Sequence, residues 1–253
     1  VADALARYRA NGGTVVLLTN APRPNAPIRQ QLARLGLPTN AYDEIVTSGD
    51  VAREEIAGWA ATGRRHVHHI GPDRDLPLFE GLDMERVALD DADAVVITGL
   101  FDDTTETPDD YRAMFAAIAA RRLPVLSANP DRIIDRGGVM VYCAGALADV
   151  HAEYGGTPVL IGKPYPAVYA AARRRARTVM GRSLDDRDIL MVGDALPTDV
   201  KGGFDAGLDV LFVTGGIHAA DYGPADTPSA DRVGQALEAA SLGAAAFLPR
   251  LVW

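Results

Sequence analysis

The fold class is decided by the stretch Asp188-Ile-Leu-Met-Val-Gly-Asp194-Ala-Leu-Pro-Thr198-Asp199. Its four apolar residues, Ile189 to Val192, predict a short parallel strand that is buried on both faces. Asp194 follows at the carboxyl end of that strand, which is the edge of an open α/β sheet where ligands bind. Thr198 is placed to cap a helix that Asp199 begins. The stretch therefore predicts a doubly wound parallel sheet with two carboxylates at its ligand-binding edge.

The two carboxylates of this stretch suit a hard cation. Asp194 at a strand end and Asp199 at the next helix start present oxygen ligands of the kind that Mg²⁺ prefers. The alternative is an acidic turn followed by a capped helix, and the stretch by itself does not separate the two interpretations.

Two further apolar strands end in polar side chains. Thr14-Val-Val-Leu-Leu-Thr19-Asn20 ends in a hydroxyl and an amide, and Pro158-Val-Leu-Ile-Gly162-Lys163-Pro164 ends in an ammonium group. If these strands are neighbours of the Asp194 strand, the groups meet at one pocket. A hydroxyl, an ammonium and a metal-binding carboxylate pair can together hold a phosphoryl group. The sequence has only one lysine besides Lys163, namely Lys201, and otherwise uses arginine.

These segments carry a family resemblance. The order of Leu18-Thr19-Asn20, Gly162-Lys163-Pro164 and Gly193-Asp194 with Thr198-Asp199 resembles the second, third and fourth motifs of the haloacid dehalogenase superfamily. Between the second and third motifs, Asn129-Pro130-Asp131 and Gly145-Ala146-Leu147 are similar to the class IIA, NagD-like branch of phosphatases. The resemblance covers nearly the whole chain.

The resemblance implies a fold and a division into domains. The fold is an α/β one, with a doubly wound, Rossmann-like parallel-sheet core and an inserted α/β cap domain. We expect residues 1–63 and 158–253 to form the core, and residues 64–157 to form the class IIA-type cap.

The resemblance also implies Mg²⁺-dependent hydrolysis of a small-molecule phosphate monoester. Thr19 and the Asn20 backbone would bind phosphoryl oxygens, and Lys163 would offset charge on the nucleophile and the phosphate. Asp194 would ligate Mg²⁺ directly, whereas Asp199 would ligate it through water or orient Lys163.

Substrate choice would lie in the cap. By itself Asn129-Pro130-Asp131 is an ordinary turn signal, and the resemblance makes Asn129 and Asp131 candidates for substrate contact. The substrate would be a small phosphorylated metabolite, and a homodimer through the cap is one arrangement that the resemblance leaves open.

The family's nucleophile is an aspartate of an Asp-x-Asp motif on a strand that precedes the Thr19 strand. This sequence starts at Val1, next to a predicted helix from Ala2 to Ala10 that would follow such a strand. We therefore expect the nucleophile to lie upstream of Val1 in the complete protein. Asp3 is a poor substitute, and the chain as written is expected to be unstable alone and to have no phosphatase turnover.

Composition bounds the partners. The 253 residues carry a net charge of −9, which argues against nucleic acid and anionic membrane surfaces. The single cysteine, Cys143, excludes an internal disulfide and is predicted to be buried filler. No apolar run is long enough for a membrane span and no signal peptide is visible, so a cytoplasmic location is expected.

Two other function classes remain as alternatives. A non-enzymatic phosphate-binding or regulatory homologue would keep the pocket and lack the nucleophile, and the segment upstream of Val1 separates it from a phosphatase. A nicotinamide-dependent Rossmann enzyme is disfavoured, because no strand runs into a Gly-x-Gly-x-x-Gly turn.

Helical spacing of apolar residues and capping residues predict the other elements. Ser48 is the predicted N-terminal cap of the helix Ser48 to Ala61. The predicted helices are Pro27 to Leu35, Ser48 to Ala61, Pro108 to Arg122, Gly145 to Tyr154, Pro166 to Met180 and Asp199 to Ala206; Met84 to Leu89 is a predicted extended segment of the insert.

Overall fold

A computed structural model of the chain describes residues 1–216 and 218–252. Helices and strands alternate along the chain, as the sequence predicts for an α/β fold. The strands are β1 (Val16–Thr19), β2 (Glu44–Thr47), β3 (His66–Ile70), β4 (Glu85–Arg86), β5 (Ala94–Ile97), β6 (Val125–Ser127), β7 (Ile133–Arg136), β8 (Val139–Tyr142), β9 (Val159–Leu160), β10 (Leu190–Gly193), β11 (Asp209–Val213) and β12 (Ala246–Leu248). The α-helices are α1 (Ala2–Ala10), α2 (Asn25–Arg34), α3 (Ser48–Ala61), α4 (Arg112–Ala120), α5 (Ala144–Glu153), α6 (Pro166–Met180), α7 (Lys201–Asp205) and α8 (Ala230–Ala239).

The chain divides into two compact units. The first unit comprises Val1–Leu17, Leu32–Ile45 and Lys163–Trp253, and the second comprises Leu18–Gln31 and Val46–Gly162. The second unit contains the whole predicted cap and also α3 and β9, which the sequence analysis assigns to the core. The assignment of residues 64–157 to a cap domain stays a prediction.

A parallel sheet forms the centre of the second unit, with the strand order β4-β3-β5-β6-β9. Its middle strand β5 is buried at all four positions, which accounts for the continuous apolar run Ala94-Val-Val-Ile. Apolar side chains of α4 and α5, including Phe115 and Leu147, pack against this sheet in one hydrophobic cluster. The cluster gives the second unit a core of its own.

An antiparallel hairpin of β7 and β8 also lies in the second unit, with Gly137 and Gly138 at its turn. Most of its side chains are exposed, among them Val139 and Met140. This hairpin is not predicted from the sequence, because its few residues lack the alternation of apolar and polar side chains by which a half-buried strand is recognised.

The first unit holds the parallel sheet β10-β11-β12. Val210 and Phe212 of β11 are buried in a hydrophobic cluster with Val233 of α8. The short strand β10 pairs only with β11 in the part of the chain that the structure describes. β11 is therefore the buried strand, and β10 lies at the edge of this sheet.

The strands that carry Thr19 and Asp194 belong to different sheets. β1 forms a two-stranded sheet with β2, whereas β10 belongs to the three-stranded sheet of the first unit. Direct pairing of these two strands, together with activity of the purified chain, would have contradicted the mechanism that the family resemblance implies. Within residues 1–216 and 218–252, no such pairing occurs.

Several sequence predictions are wrong in detail. The β10 strand is not buried on both faces, since Leu190 is 53% exposed, and its edge position supplies the reason. The apolar run before Thr19 also predicts a buried strand, yet the four residues of β1 are only half-buried. Within residues 84–89 only the β4 pair is extended, and a 3₁₀ turn, Pro108–Tyr111, precedes α4.

The predicted cap of α3 is also wrong. Thr47 caps the helix, because its hydroxyl accepts the N–H of Asp50 at 2.9 Å while the Asp50 carboxylate accepts the N–H of Thr47 at 3.2 Å. Ser48 instead donates its hydroxyl to the Thr19 carbonyl at 3.4 Å. This reciprocal pair is a capping box, so the capping residue lies one position earlier than predicted, while the helix itself begins at Ser48 as predicted.

Cys143 is buried, as predicted, and burial raises the pKa of its thiol to about 11. A thiol held neutral in this way is a poor nucleophile.

Over the described residues, no helix has both the length and the apolar character needed to cross a bilayer. The homodimer stays a prediction, because the structure contains one chain.

Candidate active site

A buried ion pair lies at the centre of the polar residues in the first unit. The Lys163 ammonium group donates to Asp199 Oδ1 at 2.6 Å, and the two side chains are only 16% and 8% exposed. Lys163 follows directly after Gly162, at the end of the segment that contains β9. The pair therefore joins two of the sequence motifs, and it places a positive charge in a largely desolvated setting.

The other carboxylate oxygen of Asp199 accepts two backbone hydrogen bonds. Asp199 Oδ2 receives the N–H of Asp194 at 3.1 Å and that of Ala195 at 3.2 Å. Three donors thus hold the carboxylate, and one of them is cationic. Asp199 is consequently fixed in orientation, and it fixes Lys163 in turn.

The predicted cap at Thr198 is wrong. The helical turn after β10 is a π-type turn, Leu196–Val200, so Thr198 lies inside it and not before it. Pro197 near its start favours an earlier beginning of the turn, because proline suits the first helical positions. The Asp199 carboxylate, reaching back to the Asp194 and Ala195 N–H groups, organises the start of this turn.

Close packing inside the first unit explains the glycine that precedes Asp194. A Cβ atom at Gly193 would lie 2.3 Å from the Asp199 Cβ and 2.4 Å from its Cγ. Any side chain at this position would displace the Asp199 carboxylate from Lys163. The Gly193-Asp194 pair is thus required by the packing of the second aspartate.

Tyr169 of α6 borders the same turn. Its hydroxyl donates to the Thr198 carbonyl at 3.3 Å. Burial, and next the negative charge of Asp199, raise the pKa of Tyr169 well above its usual range. Tyr169 is therefore a neutral hydrogen-bond donor that supports the turn.

The second unit contains the other predicted residues. The Thr19 hydroxyl accepts the N–H of Ala21 at 3.2 Å, which forms a tight turn at the end of β1. The side chain of Thr19 is half-buried, and that of Asn20 is buried.

A side-chain hydrogen bond joins the Thr19-Asn20 segment to the Asn-Pro-Asp turn. Asn20 Nδ2 donates to Asp131 Oδ1 at 2.8 Å, and the N–H of Asp131 donates to Asn129 Oδ1 at 2.9 Å. The Cα of Gly162 lies against the same residues, since a Cβ there would be 2.3 Å from Pro130 Cδ and 2.8 Å from Asn20 Oδ1. Three distant sequence motifs therefore meet within the second unit.

The predicted site residues thus form two groups. One group, in the first unit, contains Lys163, Asp194 and Asp199, and the other, in the second unit, contains Thr19, Asn20, Asn129 and Asp131. Sequence reasoning missed the Asn20–Asp131 hydrogen bond, which spans 111 positions of the chain. Only the presence of an amide in one motif and a carboxylate in the other hinted at it.

Comparison with known proteins identifies the family. A profile of haloacid dehalogenase-like hydrolases matches residues 1–85, and a profile of HAD-hydrolase-like proteins matches residues 160–240. A solved hydrolase of the haloacid dehalogenase-like family from Brucella suis 1330 is 43% identical; the match covers 99% of this chain and 88% of that chain, with a TM-score of 0.85. The chain belongs to the haloacid dehalogenase-like family. The family resemblance drawn from the motifs is therefore confirmed.

Relatives of this haloacid dehalogenase-like chain include named phosphatases. D-glycerol 3-phosphate phosphatase from Mycobacterium tuberculosis is 29% identical over 202 residues, which are 79% of this chain and 54% of the relative. Ribonucleotide monophosphatase NagD from Escherichia coli K12 is 30% identical over 109 residues, which are 43% of this chain and 39% of the relative. The match to NagD bears out the NagD-like resemblance. The chain spans about half or less of the length of these curated relatives.

A relative of this haloacid dehalogenase-like chain binds a divalent cation. The solved glycerol phosphate phosphatase from Mycobacterium tuberculosis, in complex with calcium, is 28% identical; the match covers 78% of this chain and 56% of that one, with a TM-score of 0.59. A divalent cation of this kind needs carboxylate oxygens that other groups do not already engage.

The half-buried carboxylate of Asp194 has the chemistry of a ligand for a divalent cation. Among the described residues it makes no side-chain hydrogen bond or ion pair, so both of its oxygens are free to coordinate. Those residues hold no group of three or more histidine, cysteine or acidic side chains at metal-binding distance. A hard divalent cation can be held by one or two carboxylates, with waters and substrate phosphate completing its shell.

Proposed function

We propose that the complete protein hydrolyses a small-molecule phosphate monoester and requires Mg²⁺. The observation that carries this proposal is the Lys163–Asp199 ion pair, whose carboxylate also binds the backbone of Asp194. A held ammonium group and a free carboxylate are the two charges that a phosphoryl group with its metal needs. The phosphatases among the relatives support the same reaction.

Each residue of the first group has a proposed part. Lys163 donates to phosphoryl oxygens and offsets the charge that gathers around phosphorus. Asp194 ligates Mg²⁺, which when bound would neutralise phosphoryl charge and help to orient the ester. Asp199 holds Lys163 in position, since hydrogen bonds already engage both of its oxygens.

The residues of the second group would recognise the substrate. We propose that Thr19 and the Asn20 N–H donate to phosphoryl oxygens. The Asn20 side chain donates a hydrogen bond to Asp131, so it supports the turn that carries Asn129 and Asp131. Asn129 and Asp131 would contact the part of the substrate that is not phosphate.

In the proposed reaction the nucleophile would be the first aspartate of the Asp-x-Asp motif that the family resemblance implies. Its carboxylate oxygen would attack phosphorus, and the ester oxygen would leave with a proton from the second aspartate of that motif. Water would then hydrolyse the aspartyl-phosphate, giving its proton back to the second aspartate. The cap would exclude bulk water and select the substrate.

The metal requirement has a direct test. The full-length protein that contains this chain should hydrolyse para-nitrophenyl phosphate with Mg²⁺ and lose that activity in excess EDTA, because the proposed site lacks a second source of positive charge at Asp194. Readdition of Mg²⁺ should restore the rate. Full activity in the presence of EDTA would contradict the metal-dependent mechanism. Phosphate binding without any turnover would favour a regulatory homologue.

Substrate choice gives a second test. Asp131→Ala should lower kcat/KM for metabolite-sized phosphate esters by about tenfold, the scale of one lost hydrogen bond to a charged group. The rate on para-nitrophenyl phosphate should change little, because so small an ester barely touches a cap. Asn129→Ala should act in the same direction. The measurement is the ratio of kcat/KM values across a panel of sugar, nucleotide and glycerol phosphates.

Asp149→Ala serves as the control for Asp131→Ala. Asp149 lies in the same unit and pairs with Arg132 on the surface, where its side chain is 47% exposed. This change should leave the ratio of substrate rates as it is. A uniform loss of rate on every ester in the Asp131 variant would instead mean that the turn is only structural.

A further inference from the structure

Gly216 lies against the carboxylate of Asp194. A Cβ atom built at Gly216 would be 1.9 Å from Asp194 Oδ2 and 2.6 Å from both its Cβ and its Cγ. Real Cβ atoms essentially never approach a heavy atom of a non-neighbouring residue within 3.0 Å. A side chain at position 216 therefore cannot coexist with the position of Asp194 in this structure.

The φ angle of Gly216 does not itself require glycine. It lies outside the left-handed region that favours glycine over residues with a Cβ. The neighbouring Gly215 is under a different constraint, because its Cβ would lie 2.2 Å from the backbone oxygen of Pro249. At Gly215 the nearest atom to an added Cβ belongs to backbone, whereas at Gly216 the three nearest atoms all belong to the side chain of Asp194.

The segment that carries Gly216 is anchored on both sides. The N–H of Thr214 donates to the Leu248 carbonyl of β12 at 2.9 Å, and Thr214 is buried. The Gly216 carbonyl accepts the N–H of Ala219 at 3.1 Å. An added methyl group would therefore displace Asp194, whose carboxylate has no hydrogen bond or ion pair within residues 1–216 and 218–252 to hold it.

We propose that Gly216 is a positioning residue for Asp194. Because Gly216 has no Cβ, its backbone packs directly against the Asp194 side chain and restricts it. This contact sets the direction in which the carboxylate presents its oxygens to Mg²⁺. The inference rests on the proposed function, since it concerns the metal-binding part of Asp194. It assigns a role to the loop after β11, which none of the sequence motifs includes.

The test compares Mg²⁺ binding by the full-length wild-type protein and its Gly216→Ala variant, measured by titration calorimetry without substrate. We expect the dissociation constant for Mg²⁺ to rise by about tenfold or more, the scale seen when a group supporting a metal ligand is lost. The thermal unfolding midpoint should fall only moderately, because turning the carboxylate relieves its contact with the methyl group, while the 2.6 Å approach of the added methyl to Asp194 Cβ requires a small shift of the backbone. Equal Mg²⁺ affinity of wild type and variant would overturn the inference.

Gly234→Ala is the matched control. It makes the same change in the same unit, in α8, where a Cβ meets nothing within 4 Å. Magnesium affinity should be unchanged, and alanine should favour the helix. Tenfold weaker binding in this variant as well would also overturn the assignment to Gly216.

Two further outcomes separate the possible failures. If the wild-type protein itself binds no Mg²⁺, the proposed function fails together with this inference. If Gly216→Ala lowers the unfolding midpoint strongly, the double variant Asp194→Gly/Gly216→Ala decides the cause. Recovery of the midpoint in the double variant supports a clash with Asp194, whereas no recovery means that the backbone is at fault and overturns the proposal.

Discussion

Replacing Lys163 with alanine is expected to lower kcat on para-nitrophenyl phosphate by about 100-fold or more, the scale of losing one positioned electrostatic donor. The ammonium group is fixed by Asp199 at 2.6 Å and is only 16% exposed, so its charge acts with little screening by water. The measurement is steady-state kinetics of the full-length protein with saturating Mg²⁺. The far-ultraviolet circular dichroism of the variant should match that of the wild type.

Lys201→Ala is the control for this prediction. Lys201 is the other lysine of the sequence, and it forms an ion pair of nearly the same length with Asp205, at 2.7 Å. Its side chain is 48% exposed, so the pair is solvated and its loss should do little. Equal effects of the two substitutions on kcat would refute the special role of Lys163.

The strand-end motifs could be predicted from the sequence because they combine a short apolar run with polar residues at its carboxyl end. That pattern indicated an α/β fold and drew attention to Asp194, Asp199 and Lys163. The ion pair between Lys163 and Asp199 was one of two alternatives for Asp199, and the hydrogen bonds of the structure favour it. The chemical part of each residue is still a proposal.

Burial and caps were harder to predict, because they depend on what packs beside a strand or a turn. The apolar run before Asp194 indicates a buried strand, yet β10 lies at the edge of its sheet and Leu190 is exposed. Thr198 has the hydroxyl of a typical N-cap, but the N–H groups of Asp194 and Ala195 donate to the Asp199 carboxylate. Local propensity cannot show such competition between neighbours.

Contacts between residues far apart in the sequence were the hardest features to predict. The Asn20–Asp131 hydrogen bond and the approach of Gly216 to Asp194 join segments that no local pattern connects. Their residue types are common in turns, where asparagine, aspartate and glycine occur for reasons unrelated to a site. Only the folded chain brings these pairs together.

The second large effect is expected from Asp199→Asn, which should lower the free energy of unfolding by about 3 kcal/mol, the lower end of the range for breaking a buried ion pair. The substitution keeps the shape of the side chain but removes the charge that balances Lys163. It removes the carboxylate charge that lies 2.6 Å from an ammonium group only 16% exposed. Urea denaturation of the full-length protein should show a lower midpoint with an unchanged slope, because the unfolded state is not altered.

Asp205→Asn tests whether burial is the reason. It removes the same charge from a Lys–Asp pair of nearly equal length, but the side chains of Asp205 and Lys201 are 46% and 48% exposed. Water screens that pair, so the expected loss is at most about 1 kcal/mol. If both variants lost the same stability, the Lys163–Asp199 pair would be an ordinary surface contact. A large loss confined to Asp199→Asn, together with a fall in kcat, would instead mean that one carboxylate both stabilises the turn after β10 and holds the ammonium group that the proposed reaction needs.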